Sequence, residues 1–289
     1  MLVYWVMYKH FFKRIFDFFG SLILIVLLSP ILLIVVILEL IFHGWPPVYV
    51  QKRVGKGRKV FRVYKFRSMT NKKDENGELL PDSKRITKFG KFIRATSIDE
   101  LPQLFNILFG QMSFIGPRPK DIKECVFLTE QQCGRFRATP GITGLAQVNG
   151  RNSIPFNRVA EFDNQYANKI TLWKDVKIFF KTFAVVFRRK DIDSVKQDAS
   201  NFSFYYGEYL LEQGLLTQEE YNHRVAFART LRVGDVMPSI DQQREREELE
   251  KLREQSKADE LLSEIHETRV IEDEQEGEVI EATETSEVS

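Results

Sequence analysis

The stretch RITKFGKFIRATSIDELPQLFNILFGQMSFIGPRP, residues Arg85–Pro119, organises the rest of the chain. At its centre the adjacent acids Asp99 and Glu100 follow a Thr-Ser step and open an apolar-periodic segment. We therefore expect a helix that begins at this pair, with Thr96 or Ser97 as its N-cap. Acidic residues in a first turn also suit the helix dipole.

Cations lie on both sides of the acidic pair, with Arg94 upstream and Arg118 in the rigid turn Gly116–Pro119 downstream. Two carboxylates among cations on short connections suit a metal ion and a polyphosphate substrate. The alternative is that Asp99 and Glu100 only occupy the first turn of a helix, where acids are common. The pair alone leaves both interpretations open.

The net charge of +2 conceals a strong asymmetry along the 289 residues. The first 200 residues carry 33 Lys and Arg against 17 Asp and Glu, whereas the last 89 carry 9 against 23. A basic body predicts phosphate-bearing or membrane-surface partners, and an acidic tail predicts solvation or an interaction arm. Cys125 and Cys133 have no histidine cluster near them, so neither a disulfide framework nor a zinc site is indicated, and a reducing compartment is expected.

A membrane segment is predicted near the N-terminus. Phe18–Leu38 holds 21 consecutive uncharged residues, enough at about 1.5 Å per residue to cross a hydrocarbon core of about 30 Å. Ser29 and Pro30 fall at its middle, where a proline kinks a helix and the serine hydroxyl can satisfy the carbonyl that is freed. Both flanks are basic, which favours the cytoplasm for both ends. A re-entrant helical hairpin fits both observations, whereas a kinked spanning helix fits only one.

Two short strands, residues 48–50 and 60–69, are predicted after the membrane segment, separated by a glycine turn. The second strand alternates so that Lys65 and Arg67 share one face, where they could reach a phosphate. A solvated basic face is the alternative. Further on, residues 122–137, 156–167 and 172–189 are predicted to be helical, and three glycines between residues 141 and 150 fit close backbone approach or positive φ.

The last of these helices, residues 172–189, has an aromatic face edged by lysines. Such a face is core packing in most proteins, but beside a membrane segment it also fits an interfacial helix that seats the domain on anionic lipid. Past residue 200 a capping box predicts a short helix over 217–231, and residues 242–267 are charged and predicted to be helical. Residues 272–289 are acidic, lack aromatic residues and are expected to be disordered.

Five sequence blocks together resemble one family, the bacterial sugar transferases, which are monotopic polyprenyl-phosphate phosphoglycosyl transferases. The blocks are KRIFDFFGSLILIVLLSP, YKFRSM, FIRATSIDELPQLFNIL, MSFIGPRP and TPGITGLAQVNGRN, in this order over residues 9–190. The resemblance implies an α+β, mainly helical fold, with an N-terminal re-entrant hairpin, a cytoplasmic catalytic domain with a short β element, and interfacial amphipathic helices. The expected divisions are residues 1–47 for the hairpin segment, 48–200 for the catalytic domain, 201–240 for a short helical extension and 241–289 for the charged tail.

The resemblance also implies the chemistry. A sugar 1-phosphate would pass from a UDP-sugar to polyprenyl phosphate, with Asp99 as the nucleophile and UMP as the by-product. Asp99 and Glu100 would hold Mg²⁺, and Ser29-Pro30 would form the hairpin bend. The resemblance implies that Arg67, Arg94, Arg118 and Arg151 surround the phosphates and the nucleotide. Lys65 and Pro117 complete the expected substrate-binding residues.

The same resemblance places the protein in the bacterial cytoplasmic membrane, with its catalytic domain facing the cytoplasm. Membrane lipids are expected partners, a second copy of the chain and downstream glycosyltransferases are candidates, and no nucleic acid is expected. Two other functions compete with this one. A plain membrane glycosyltransferase would move the sugar alone and release UDP, and a membrane-anchored scaffold would tolerate loss of the Asp99 carboxylate.

Overall fold

The computed structural model of the protein describes residues 7–150, 154–188 and 206–257. The described chain is mostly helical with a few short strands, which confirms the mainly helical α+β class. It divides into two compact units, Met1–Ile240 and Asp241–Ser289. In the second unit the described residues are helical, within a helix that covers residues 240–257.

The first unit contains both helices and strands. Its helices are α1 (Lys13–Phe42), α2 (Asp82–Arg85), α3 (Lys88–Ala95), α4 (Gln103–Leu108), α5 (Ile122–Cys125), α6 (Leu145–Val148), α7 (Phe156–Asn168), α8 (Leu172–Arg188), α9 (Tyr206–Glu212) and α10 (Gln218–Thr230). Its strands are β1 (Val48–Val54), β2 (Val60–Phe66), β3 (Ser113–Ile115) and β4 (Gly141–Thr143). A π-helical turn, Tyr8–Phe12, leads into α1, and 3₁₀ turns lie at Ile98–Glu100 and Gln132–Arg137.

Helix α1, with the turn before it, is long and apolar enough to cross a membrane over Tyr8–Phe42. Its pattern of burial is opposite to that of a core helix in a soluble protein, because it buries polar residues and exposes apolar ones. The residues that it buries against the rest of the chain are Lys13, Asp17, Ser21, Val35 and Glu39, of which four are polar. Large apolar side chains along its length are exposed instead. A helix that directs polar groups to protein and apolar groups outward suits a lipid surrounding, so the structure supports membrane association.

The structure does not confirm the re-entrant hairpin, because one helix is assigned through Pro30. The predicted contact of the Ser29 hydroxyl at the proline is present. Pro30 has no N–H to offer the carbonyl of Val26 four residues earlier, and the Ser29 hydroxyl donates to that carbonyl at 2.8 Å. The carbonyl of Val26 therefore has a hydrogen-bond donor despite the proline.

The two sheets each contain two strands. Strands β1 and β2 form an antiparallel hairpin in register from Val48↔Phe66 to Val54↔Val60, so the first strand is longer than predicted and the second shorter. Strands β3 and β4 are parallel, and they bring the turn that follows Ile115 beside the glycines that follow Pro140. This second pairing positions the functional site described below.

The continuous helix predicted over residues 122–137 is wrong. The chain instead forms the single turn α5 and then the 3₁₀ turn Gln132–Arg137. Two separate caps explain the break: Asp121 accepts the N–H of Lys123 at 3.0 Å, and the Thr129 hydroxyl accepts the N–H of Gln132 at 3.3 Å. In contrast, α7, α8 and the Thr217-capped helix α10 confirm their predictions closely. The residues predicted to be disordered, 272–289, lie outside the described part.

Residues 206–240 complete the largest hydrophobic core. Their apolar side chains pack against Val54, Val60 and the segment 125–128. Tyr206 stacks on Phe156 with ring centroids 4.1 Å apart. Backbone bonds add to this packing, since Val60 N–H donates to the carbonyl of Asp235 at 2.9 Å. The extension therefore belongs to the fold of the first unit.

Candidate functional site

The acidic pair lies on the 3₁₀ turn Ile98–Glu100, between helices α3 and α4. Ser97, one of the two predicted N-cap residues, occupies the N-cap position of this turn, but neither its side chain nor that of Thr96 caps the turn. The Thr96 hydroxyl donates back to the carbonyl of Phe92 at 2.9 Å, and Ser97 has a left-handed backbone with φ 58° and makes no cap hydrogen bond. A non-glycine residue with positive φ breaks the helical path there, so Asp99 and Glu100 form a turn of their own.

Glu100 is held by two cations from different elements. Its Oε1 accepts from Nη2 of Arg118 at 2.6 Å and from Nζ of Lys65, on β2, at 3.0 Å. Burial alone would raise the pKa of Glu100, but Arg118 and Lys65 outweigh it and lower that pKa to about 2. Glu100 is therefore a carboxylate at any physiological pH, and it fixes the positions of both cations.

Asp99 differs from its neighbour in its hydrogen bonds and in the direction of its pKa shift. It is half-buried, and within the described residues its carboxylate receives no hydrogen bond. Burial and then the charge of Glu100 raise its pKa, against the opposing effect of Lys65, Arg94 and Arg118. Two adjacent carboxyl groups whose pKa values move in opposite directions mark a site where the two have different roles.

The other predicted cations have different surroundings. Arg94, near the end of α3, donates from Nε to the Ser68 hydroxyl at 2.7 Å. Arg67 is buried just after β2, where its Nη1 donates to the carbonyl of Pro46 at 3.1 Å. The structure thus brings Lys65, Arg94 and Arg118 around Asp99, whereas Arg67 is buried against the carbonyl of Pro46. Arg151 lies outside the described residues.

The turn that presents Arg118 is built by very close backbone approach. A Cβ on Gly116 would lie 2.2 Å from the carbonyl oxygen of Thr139, and one on Gly141 would lie 2.1 Å from N of Gly116. These contacts confirm that glycines in this region serve close packing. The carbonyl of Pro117 accepts from N–H of Gly141 at 2.9 Å, so this predicted substrate residue shapes the turn through its backbone.

The carbonyl of Arg118 is held from the other side by a buried ion pair. Nη2 of Arg135 donates to this carbonyl at 2.7 Å and lies 2.8 Å from Oδ2 of Asp163. Both members of the pair are almost fully buried, with side chains 2% and 1% exposed. This pair is not predicted from the sequence, because Arg135 and Asp163 belong to no local motif.

A metal ion at this site would have few protein ligands. The described residues contain no group of three or more His, Cys, Asp or Glu side chains that could hold one. Asp99 and Glu100 are the carboxylates available, and one oxygen of Glu100 is already engaged by cations. Such a donor set suits Mg²⁺, which is usually bound by one or two carboxylates together with substrate phosphates and water.

Two buried polar networks at the ends of α1 were also missed. At its start, Asp175 of α8 accepts from Nζ of Lys13 at 2.6 Å and from the hydroxyls of Tyr8 and Tyr166 at 2.8 and 2.7 Å. At its end, His43 lies between Glu39 and Thr87. Lys13, one of the basic residues that flank the apolar segment, therefore has a buried structural partner.

Comparison with known proteins fits this architecture. Residues 8–189 match the model of a family described as bacterial sugar transferase. The uncharacterized sugar transferase EpsL of Bacillus subtilis is 42% identical over 170 residues, which cover 59% of this chain and 84% of that protein. The undecaprenyl-phosphate galactose phosphotransferase of Salmonella typhimurium is 41% identical over 198 residues, covering 63% of this chain and 41% of that protein. The UDP-glucose:undecaprenyl-phosphate glucose-1-phosphate transferase of Klebsiella pneumoniae is 39% identical over 181 residues, covering 59% and 39%.

Fold and site together define a membrane-associated α+β domain built around an acidic pair among cations. The chain belongs to the bacterial sugar transferase family. The matched part spans most of the Bacillus protein and about two fifths of the Salmonella and Klebsiella proteins. The resemblance read from the five sequence blocks is confirmed.

Proposed function

We propose that this protein transfers a sugar 1-phosphate from a UDP-sugar to polyprenyl phosphate and releases UMP. The names of the Salmonella and Klebsiella relatives, both undecaprenyl-phosphate sugar-phosphate transferases, support this general reaction. The observation that carries the proposal is the contrast within the acidic pair. Glu100 is fixed by Lys65 and Arg118, while Asp99 beside it accepts no hydrogen bond within the described chain and faces the same cations.

The contrast supports a covalent route. An oxygen of Asp99 attacks the β-phosphorus of the UDP-sugar, a P–O bond to Asp99 forms, and the bond to the bridging oxygen breaks so that UMP leaves. An oxygen of polyprenyl phosphate then attacks the same phosphorus, and the bond to Asp99 breaks. The product is a polyprenyl diphosphate sugar, and the Asp99 carboxylate is restored. A carboxylate is a competent nucleophile towards phosphorus when cations neutralise the phosphate oxygens.

Each nearby group has a part in this route. Arg118, whose side chain is half exposed, and Lys65 bind phosphate oxygens and stay aligned through Glu100. Arg94 adds positive charge beside Asp99. We propose Asp99 and Glu100 as the ligands of Mg²⁺, which when bound would neutralise phosphate charge. Arg151 remains a predicted contact, because it lies outside the described residues.

We propose that the protein is monotopic, so that both ends of the membrane helix lie on the side of the catalytic domain. The support comes from where α1 is attached. Near its start, Arg14 donates to the last carbonyls of α4, those of Ile107 and Leu108, each at 2.6 Å. Near its end, Glu39 contacts His43, and His43 in turn contacts Thr87 at the start of α3. Contacts of both ends of α1 with the same domain support a position in which both ends lie on one side of the membrane.

The aromatic face of α8 supports an interfacial role for this helix. Trp173, Phe180 and Phe183 are 75%, 66% and 48% exposed, so they do not pack in a core. Lys177 and Lys181 lie exposed beside them. We propose that this face rests on the cytoplasmic leaflet, whose anionic lipids attract lysines. Association with a second copy or with downstream glycosyltransferases stays a prediction.

The test is nucleotide release by the purified protein with Mg²⁺, polyprenyl phosphate and a panel of UDP-sugars. We expect UMP with at least one donor, and near-complete loss in Asp99→Asn. Asp82→Asn is the matched control, since that side chain is 71% exposed on α2 and it should retain activity. Release of UDP would overturn the proposal in favour of a plain glycosyltransferase. Full activity of Asp99→Asn would overturn the covalent route.

A further inference from the structure

His43, directly after α1, has a side chain that is completely buried between two polar partners. Its Nδ1 lies 2.6 Å from Oε2 of Glu39, and its Nε2 lies 2.8 Å from Oγ1 of Thr87. Burial, and then the charge of Arg67, lower the pKa of His43, so the imidazole is neutral near pH 7. A neutral ring satisfies both contacts when Nδ1–H donates to Glu39 and Nε2 accepts from the Thr87 hydroxyl.

The contact to Thr87 controls where helix α3 begins. Thr87 is the N-cap of α3, and its Oγ1 accepts from N–H of Gly90 at 2.8 Å. A Cβ on Gly90 would lie 1.9 Å from the carbonyl oxygen of Ser68, so α3 lies against the end of β2 with no free space. Arg94, near the other end of α3, bonds Ser68 as well. The imidazole therefore supports the helix that directs Arg94 towards Asp99.

The backbone after His43 holds the side chain and the main chain of Arg67 in place. Pro46, three residues on, accepts from the Arg67 guanidinium at 3.1 Å, and the carbonyl of Pro47 accepts from N–H of Arg67 at 3.2 Å. Both contacts of Arg67 are thus made to the turn that His43 begins. Since Arg67 is buried, it cannot recover these contacts by turning to solvent.

Glu39, in the last turns of α1, links His43 to the membrane helix. Its side chain is completely buried, and its Oε1 has no hydrogen-bond partner within the described chain. A buried carboxylate that is only half satisfied is costly, so packing alone does not account for it. Its carboxyl group lies near the guanidinium of Arg67, so the Glu39–His43 contact and Arg67 belong to one buried polar cluster next to the site.

We propose that His43, with Glu39 and Thr87, is a positioning residue for the transfer reaction. The imidazole of His43 holds Arg67 and Arg94 in position relative to Asp99. Its contact with Glu39 also connects these two cations to the end of the membrane helix. The proposal rests on the proposed function for its kinetic consequences. The contacts that define it do not depend on that function.

The experiment compares His43→Ala with the conservative variants His43→Gln and Thr87→Ser in the full-length protein. His43→Gln keeps an amide in reach of Thr87, and Thr87→Ser keeps the hydroxyl. We expect kcat/KM for the UDP-sugar to fall about tenfold or more in His43→Ala, with a rise in KM, and to recover largely in the conservative variants. His223→Ala, an exposed histidine on α10, is the control and should stay within about twofold of the unaltered protein.

A double-mutant cycle with Arg94→Lys separates positioning from general stability. If His43 acts through Arg94, the double variant loses little more than the worse single variant, whereas independent effects multiply. Multiplying losses, or a fall in activity explained entirely by the unfolded fraction, would overturn the proposal. So would unchanged kinetics in His43→Ala.

Amide hydrogen exchange tests the positioning role of His43 separately from the proposed transfer reaction. His43→Ala should speed exchange in residues 88–95 and 64–67, while the β3–β4 pair should stay as protected as in the unaltered protein. This result is expected even if the unaltered protein releases no UMP, in which case the proposed function fails and the positioning contacts stand. Unchanged exchange in those segments would overturn the inference whatever the enzymatic result.

Discussion

Replacing Glu100 by Gln is the sharpest probe of the acidic pair, because the change keeps the shape of the side chain and removes only its charge. In the structure that charge lies against Arg118 and Lys65 at 2.6 and 3.0 Å. Without it the two cations face each other with no anion between them. We therefore expect a less stable protein at neutral pH, and we expect the Mg²⁺ requirement for UMP release to rise because one of the two proposed ligands is weakened.

The magnitude follows from the pKa of Glu100, which the structure lowers from an ordinary 4.5 to about 2. At about 1.4 kcal/mol per pKa unit the difference corresponds to about 3 kcal/mol. The Arg118 side chain is 50% exposed, and solvent screening reduces the contribution, so we expect a loss of about 1 to 2 kcal/mol. For a domain of this size the unfolding midpoint should fall by about 2 to 8 °C.

The pH dependence gives a second, independent readout. A carboxyl whose pKa is lowered by folding stabilises the protein above its unfolded pKa and loses that effect as the pH falls through the folded value. The difference between the unaltered protein and Glu100→Gln should be complete above about pH 4.5 and disappear towards about pH 2. Thermal unfolding in detergent across this range measures it.

The control for Glu100→Gln is Glu161→Gln, which removes an ion pair whose side chains are both 60% exposed. That change should alter stability by less than about 0.5 kcal/mol. If Glu100→Gln unfolds at the same temperature as the unaltered protein at pH 7, the cations are not held by Glu100. A stability difference that persists unchanged to pH 2 would refute the electrostatic explanation.

Three further predictions test other parts of the structure. Asp163→Asn should destabilise the protein by about 3 kcal/mol or more, because it leaves the buried Arg135 without its partner, and a change in unfolding free energy below about 1 kcal/mol would contradict this. Replacing Lys174, Lys177 and Lys181 together by Gln should weaken binding to vesicles rich in anionic lipid much more than binding to neutral vesicles, and equal effects on both would refute an interfacial role for α8. A chain ended after residue 205 should aggregate or unfold because it uncovers the core around Phe127, whereas a chain ended after residue 257 should unfold at the same temperature as the full-length protein.

The sequence predicted well those features that local pattern determines. The apolar run of α1, the amphipathic helices α7 and α8, and the Thr217 cap of α10 all follow from hydrophobic periodicity and capping. The Ser29 contact to Val26 follows in the same way from the missing N–H of Pro30. The acidic pair and its cations were also found, since they share one short stretch and one strand.

What the sequence could not show are contacts between distant residues and small backbone deviations. The positive φ of Ser97, which gives Asp99 and Glu100 a turn of their own, has no composition signal at a serine. Arg135 and Asp163 lie 28 positions apart, and Lys13 and Asp175 are separated by 162. His43 lies 44 positions from Thr87, so a histidine outside every motif could not be recognised as part of the site's support.

The two ends of α1 show why these missed contacts matter for function. Charges beside an apolar segment usually mark the limits of the membrane and bind water or lipid headgroups. Here Lys13 and Asp17 bond α8 and β3, and Glu39 reaches α3 through His43. Since β3 leads into the turn of Arg118 and α3 carries Arg94, each end of the helix is joined to one side of the acidic pair. We therefore expect a displacement of the helix relative to the domain to move the cations around Asp99 as well.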